Sequence, residues 1–289
     1  ALASTLLVMS ALGPASDPVF LSPEAARPLV DEGALVLDAR GGSAEAPFLP
    51  GAVATSWRAV RAGLLRDGRL TDPAPARAHY GALGVRPERA VLVYGAGLDG
   101  WGEEGRVWWD LKVLGHPRVF ILDGGVDGWL AAGGPVADAL ADPTPARFEP
   151  AEATSGAKDD LRTDFRGAAW ASTQGVVLDA RTYEEYWGAT PFLSPRGGRV
   201  PGARTLHWKR LLDPQGRLRP KDELSRLFAS LGVTEDRPVV AYCTGGVRSA
   251  FVVAVLRHLG LPGANYDGSW WDWSAREALP VERPRNHAP

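Results

Sequence analysis

Sulfur is nearly absent from this chain: one cysteine, Cys243, and one methionine occur in 289 residues. A single thiol forms no internal disulfide and is too few ligands for a structural zinc site. The five histidines, His79, His116, His207, His258 and His287, are scattered without metal-ligand spacing, so neither a metal nor another cofactor is expected. An excess of either charge is also missing. Lys and Arg number 32 against 34 Asp and Glu, a net charge of −2, and the basic residues form no stripe, which argues against a nucleic-acid partner. No apolar run reaches the ~18 residues that read as a membrane span.

What remains is a globular composition, 45% hydrophobic and 23% charged, in a chain long enough for two domains. Ala1 to Leu12 is apolar and rich in small residues, and Gly13-Pro14-Ala15-Ser16 follows. That pattern looks like the core and cleavage region of a secretory signal. Residues 1–16 are therefore expected to be a signal remnant and the protein to be exported or periplasmic. The alternative is an N-terminal helix of a cytoplasmic fold.

Cys243 opens the run Cys243-Thr244-Gly245-Gly246-Val247-Arg248-Ser249, directly after the β-prone segment Pro238-Val239-Val240-Ala241-Tyr242. A thiol at a strand's C-terminal end, followed by a glycine turn and a helical pattern over 250–259, has backbone N–H groups and a helix N-terminus aimed at its sulfur. Such a setting stabilises a thiolate and the anion it attacks. A buried cysteine that packs as a small hydrophobe is the bland alternative, and the glycines and loop position argue against it.

The chain also repeats itself. Leu35-Val36-Leu37-Asp38-Ala39-Arg40 returns as Val176-Val177-Leu178-Asp179-Ala180-Arg181, and Pro50-Gly51-Ala52 as Pro201-Gly202-Ala203. Ala90 to Tyr94 returns as Pro238 to Tyr242, and Asp123-Gly124-Gly125 with Trp129 as Asp267-Gly268-Ser269 with Trp273. Four landmarks in one order at nearly constant spacing indicate duplication. Short apolar runs (34–37, 119–122) read as buried parallel strands, and stretches such as 106–114 and 250–259 as helices. The expected fold is α/β: two tandem domains, 17–137 and 159–289, each a parallel sheet with helices on both faces, joined by a Pro-rich linker over 138–158. Tyr94 matches Tyr242, so Gly95 stands where the second copy has Cys243. Only the second copy is expected to do thiol chemistry.

Together these residues resemble the tandem-domain rhodanese family, the thiosulfate and 3-mercaptopyruvate sulfurtransferases. The resemblance rests on Arg106-Val107-Trp108-Trp109, Leu114-Gly115-His116, Leu122-Asp123-Gly124-Gly125 and Trp129 in the first copy. In the second it rests on Asp179-Ala180-Arg181, Val200-Pro201-Gly202-Ala203 and Tyr266-Asp267-Gly268-Ser269-Trp270 with Trp273. It spans roughly residues 18–283. It implies sulfur transfer through a Cys243 persulfide, from thiosulfate or a similar small anionic donor to cyanide or a thiol. The cradle would be the backbone of Thr244, Gly245, Gly246, Val247, Arg248 and Ser249, with Asp179 and Arg181 as structural support, in a monomer without cofactor or metal. A 3-mercaptopyruvate sulfurtransferase and a persulfide carrier with little small-molecule turnover are the alternatives.

Around the cysteine this chain departs from the family. Thiosulfate-type enzymes carry basic residues where Thr244 and Gly245 stand, and mercaptopyruvate-type enzymes a Ser at Gly245. Glu185 occupies an arginine position and is expected to repel an anionic donor. Arg196 and Arg199 are candidates for replacement charge. Arg248 is expected either to bind the donor's anionic group or to turn inward and pair with Asp179 or a nearby carboxylate. Phosphatases of this fold need five residues between Cys and Arg; here four intervene, a loop sized for sulfur. The tryptophans Trp108, Trp109, Trp270, Trp271 and Trp273 are expected in the core and domain interface. The acidic loop with Asp99, Glu103 and Glu104 is expected to be solvated or to border the interdomain cleft.

Overall fold

Four-residue runs dominated by Val and Leu form the central strands, and every residue in them is buried, because such a strand is covered on both faces. The computed structural model describes residues 18–41, 44–63, 66–149 and 160–283. The segment read as a signal remnant lies outside these residues, as does 150–158 of the expected linker.

The first copy contains β1 (Phe20–Leu21), α1 (Pro23–Asp31), β2 (Leu35–Asp38), β3 (Val53–Ala54), α2 (Pro73–Ala82), β4 (Val91–Tyr94), α3 (Glu103–Val113), β5 (Val119–Leu122) and α4 (Gly125–Ala131). The second contains β6 (Arg162–Thr163), α5 (Phe165–Gln174), β7 (Val176–Asp179), α6 (Tyr183–Trp187), β8 (Arg204–Thr205), α7 (Lys221–Ser230), β9 (Val239–Tyr242), α8 (Val247–His258), β10 (Ala264–Tyr266) and α9 (Ser269–Ala275). The two sheets have orders β1-β5-β4-β2-β3 and β6-β10-β9-β7-β8. Every ladder is parallel. Element for element the orders coincide, so the duplication read from sequence is a duplication of topology. Residues 137–148 run back over the first domain: Ala137 bridges Phe48, the Ala146 N–H bonds the Gly81 carbonyl and Phe148 is buried. Among the described residues no helix is long and apolar enough to cross a membrane.

The domains pack through α3 and α8, whose apolar residues belong to one continuous core with the facing sides of both sheets. Gly105 makes that approach possible, since a Cβ there would lie 2.5 Å from the Phe251 Cα. Two matching clamps hold the interface. The Leu218 N–H donates to Asp123 at 2.7 Å, and the Leu70 N–H donates to Asp267 at 2.9 Å. Asp123 and Asp267 are repeat equivalents, and Leu70 and Leu218 each end a Gly-Arg-Leu triplet. The interface is thus pseudo-twofold, each domain sending the same turn to the other's strand ends.

Candidate active site

The Cys243 loop is pinned from behind. Its carbonyls point away from the thiol: Cys243 and Thr244 accept from the Trp270 and Trp271 N–H groups, each at 3.0 Å, and Gly246 accepts from Asn265 at 3.0 Å. Gly246 has φ +78°, and a Cβ there would lie 2.5 Å from the Asp267 carbonyl oxygen, so this turn requires glycine. The Cys243 N–H donates to Ser269 Oγ at 3.0 Å, and that hydroxyl donates to the Tyr266 carbonyl at 2.7 Å. Ser269 does this from φ +52°, where the first copy has Gly125 at φ +56°. A left-handed serine costs energy, and its two hydrogen bonds hold it there.

Cys243 itself is 1% exposed. Burial pushes its thiol pKa up. The Arg248 guanidinium, the Ser249 N–H and hydroxyl and the Gly245 N–H outweigh burial and hold it below the ordinary value. The result favours a thiolate. Arg248 also spans Glu185, donating at 2.6 Å and 3.0 Å to its two oxygens, and reaches Thr244 Oγ1 at 2.7 Å. Thr244 in turn donates to Glu185 at 2.5 Å. Burial raises the Glu185 pKa, but Arg248 and Thr244 bring it down to about 2. Arg248 is inward and paired, with Glu185 rather than Asp179, and it lines the same cleft as Cys243. Asp179 is taken by Arg181 at 2.6 Å and the Tyr242 hydroxyl at 2.5 Å. Glu185, expected to repel an anionic donor, is paired with Arg248, which offsets its charge.

Arg196 and Arg199 lie away from the thiol. Arg196 donates to the carbonyls of Trp273, Ser274, Arg276 and Leu279, fastening the end of α9. Arg199 pairs with Glu282 and lies over the Tyr186 and Trp187 rings. Neither lines the cleft.

That cleft, of about 200 Å³, has Cys243, Thr244, Gly245, Val247 and Arg248 as its floor. Trp271 and Phe192 of the second domain and Trp57, Arg58, Trp101 and Glu103 of the first form its walls. Trp101 meets Phe192 edge-on at 5.5 Å across the domain boundary. Sequence reasoning missed Trp57, Arg58, Trp101 and Phe192, and placed Trp271 in the core. The available signal was the Gly-Arg-Leu triplet: the turn carrying Gly68 closes over the loop so tightly that a Gly68 Cβ would lie 2.0 Å from the Gly245 oxygen. Gly245 faces the Trp271 ring, and a Cβ there would come within 2.4 Å of it. The indole fills the space that a serine at this loop position needs.

The first copy supplies the contrast. Gly102 and Gly246 occupy matching left-handed positions, φ +76° and +78°, before α3 and α8, which makes Glu104 the counterpart of Arg248. Its carboxyl lies where a side chain on Gly95 would go, Oε2 being 2.0 Å from a Gly95 Cβ. Glu104 is buried and that oxygen has no partner among the described residues. Burial first, then neighbouring Glu103, raises its pKa to about 8. A larger cleft of about 740 Å³ elsewhere has no nucleophilic thiol. Most of its arginines are bound by aspartates.

Comparison with known proteins agrees with this geometry. The rhodanese-like domain family model matches residues 163–276. A thiosulfate sulfurtransferase of Pseudomonas aeruginosa is 34% identical over 217 residues, 74% of this chain and 78% of that protein. A 3-mercaptopyruvate sulfurtransferase of Escherichia coli is 32% identical over 205 residues, 69% of this chain and 70% of its own. A sulfur carrier protein of Thermus thermophilus is 29% identical, over 70% of this chain and 73% of its own. Among solved structures, the anaerobic ergothioneine biosynthesis enzyme of Chlorobium limicola superposes with a TM-score of 0.81 at 19% identity, covering 92% of this chain and 70% of its own.

Proposed function

Since the chain belongs to the tandem-domain rhodanese family and is a sulfurtransferase, we propose that it moves the outer sulfur of thiosulfate, or of a similar anionic donor, to a thiol or cyanide through a persulfide on Cys243. One observation carries this reading. The thiol sits at the floor of a cleft with its pKa lowered by Arg248 and the loop N–H groups.

In the first half-reaction the Cys243 thiolate attacks the donor's outer sulfur. A new S–S bond forms, the donor's own S–S bond breaks, and sulfite leaves with the electron pair. In the second, an acceptor thiolate or cyanide attacks the outer sulfur of the persulfide and returns the Cys243 thiolate. The N–H groups of Gly245 and Ser249 stabilise the thiolate and the persulfide anion alike, without reorganising between the halves. A donor whose cleavage relies on a serine at the third loop position meets Trp271 there instead, which favours thiosulfate over 3-mercaptopyruvate.

Intact mass after incubation with thiosulfate tests the proposal. We expect a gain of about 32 Da, one sulfur, that cyanide removes and that Cys243→Ser abolishes. An adduct formed from 3-mercaptopyruvate alone would reassign the donor. No adduct from either would overturn the persulfide reading.

A further inference from the structure

We propose that Arg58 and Glu103, both contributed by the domain that lacks the thiol, make the cleft selective for a zwitterionic amino-acid thiol as sulfur acceptor. This rests on the persulfide reading above and names the acceptor class of the same site. The argument starts from charge. Of the charged side chains lining the cleft besides the thiol, Arg248 is paired with Glu185 behind it at 2.6 Å. Arg58 and Glu103 remain. Among the described residues the exposed Arg58 side chain makes no ion pair and no hydrogen bond; its guanidinium lies over the Trp57 ring, 5.1 Å from the centroid. Glu103 accepts from the Trp101 N–H at 2.7 Å through one oxygen and likewise has no ion pair. The two line one cleft without pairing with each other.

The repeat supplies an independent observation. Trp57-Arg58 matches Trp208-Lys209, and in the thiol-less site Lys209 is committed to the Leu98 carbonyl at 2.5 Å. At the site with the thiol, the equivalent Arg58 side chain has no hydrogen-bond partner among the described residues and rests only on the Trp57 ring. A dianion entering between Arg58 and Glu103 gains one attraction and meets one repulsion, whereas a molecule with both a carboxylate and an ammonium gains two. The volume, about 200 Å³, lies below the ~300 Å³ at which pockets for drug-sized ligands begin and suits a molecule of cysteine's size.

The test separates loading from discharge. The protein is first loaded with thiosulfate or 3-mercaptopyruvate and the sulfur adduct verified by mass. Its discharge is then timed with L-cysteine, cysteamine, 3-mercaptopropionate and 2-mercaptoethanol at equal thiolate concentration. Cysteine should be fastest. Arg58→Gln should lower the cysteine and 3-mercaptopropionate rates relative to 2-mercaptoethanol by about three- to fivefold, the scale of one exposed charge contact. Glu103→Gln, which keeps an acceptor for the Trp101 N–H, should lower cysteine and cysteamine by a similar ratio. Both effects should weaken with added salt. Equal discharge by all four thiols, or variants that slow all four alike, would overturn the inference while leaving the persulfide reading intact. Failure to load would overturn both.

Discussion

Arg248, in the first turn of α8, and Glu185 of α6 form a buried ion pair, 2.6 Å apart, and the guanidinium also lowers the pKa of the Cys243 thiol. One cation thus serves two anions, only one of which reacts. Removing Glu185 should have opposite effects on stability and on the thiol. Glu185→Ala leaves Arg248 buried without its partner and should cost about 3–5 kcal/mol. It should also shift the pH profile of Cys243 alkylation to lower pH, because the guanidinium is no longer neutralised. The Glu185 pKa is depressed to about 2 from its ordinary 4.5. Its stabilising contribution is therefore complete above about pH 4.5 and is lost as pH falls towards 2. The variant's deficit in acid unfolding should shrink over that window. Denaturant titrations at several pH values, with iodoacetamide rates, read both effects.

Gly245→Ser places a Cβ 2.4 Å from Trp271 Cζ3. The ring or the loop must move, and a shift of this size at a reacting thiol costs about 10- to 100-fold in rate. Persulfide formation should slow by that factor with either donor. Adding Trp271→Ala should restore part of it. No slowing in the single variant would show that the indole yields its place readily.

Ser269 predicts an order of variants. Ser269→Ala keeps the strained φ of +52° and leaves the buried Cys243 N–H without its acceptor, at a cost of about 1–3 kcal/mol. Ser269→Gly loses the same hydrogen bond but relieves the strain, about 1 kcal/mol. Melting temperatures should therefore run wild type, then Gly, then Ala. The reverse order of the two variants would mean that the backbone at 269 is unstrained.

The sheet, the repeat and the cysteine loop were legible in sequence because each is local. Val239 to Tyr242 needs only four side chains to read as a buried strand, and Gly95 opposite Cys243 needs only an alignment of the two halves. The walls of the cleft were not legible, because Arg58 and Trp101 meet Cys243 through the pseudo-twofold packing of two domains, a relation between segments far apart in the chain. The matching Gly-Arg-Leu triplets marked that packing, but their role depends on Asp123 and Asp267 across the interface. Arg196 and Arg199 illustrate the converse. Their charge suggested donor binding, yet carbonyls at the end of α9 hold the first, and Glu282 with two aromatic rings holds the second. Net charge says nothing of which cations are already satisfied.

Glu104 predicts a pH dependence located in the domain without the thiol. Its carboxyl fills the space beside Gly95, and burial raises its pKa to about 8 against an ordinary 4.5. Between these values the folded protein holds a proton that the unfolded chain releases, so stability falls as pH rises, by up to about 1.4 kcal/mol per pH unit. Below about pH 4.5 both states are protonated, and above about pH 8 both are ionised, so the slope vanishes at either end. Glu104→Gln is nearly isosteric with the protonated acid and does not titrate. Its unfolding free energy relative to wild type should be close to zero or slightly negative near pH 4.5 and should climb steadily to pH 8. Taking the difference between the two proteins cancels the other titrating groups, so the slope reports Glu104 alone. A difference that stays constant across this range would mean that the carboxyl is ionised in the folded protein, and that the space beside Gly95 admits solvent.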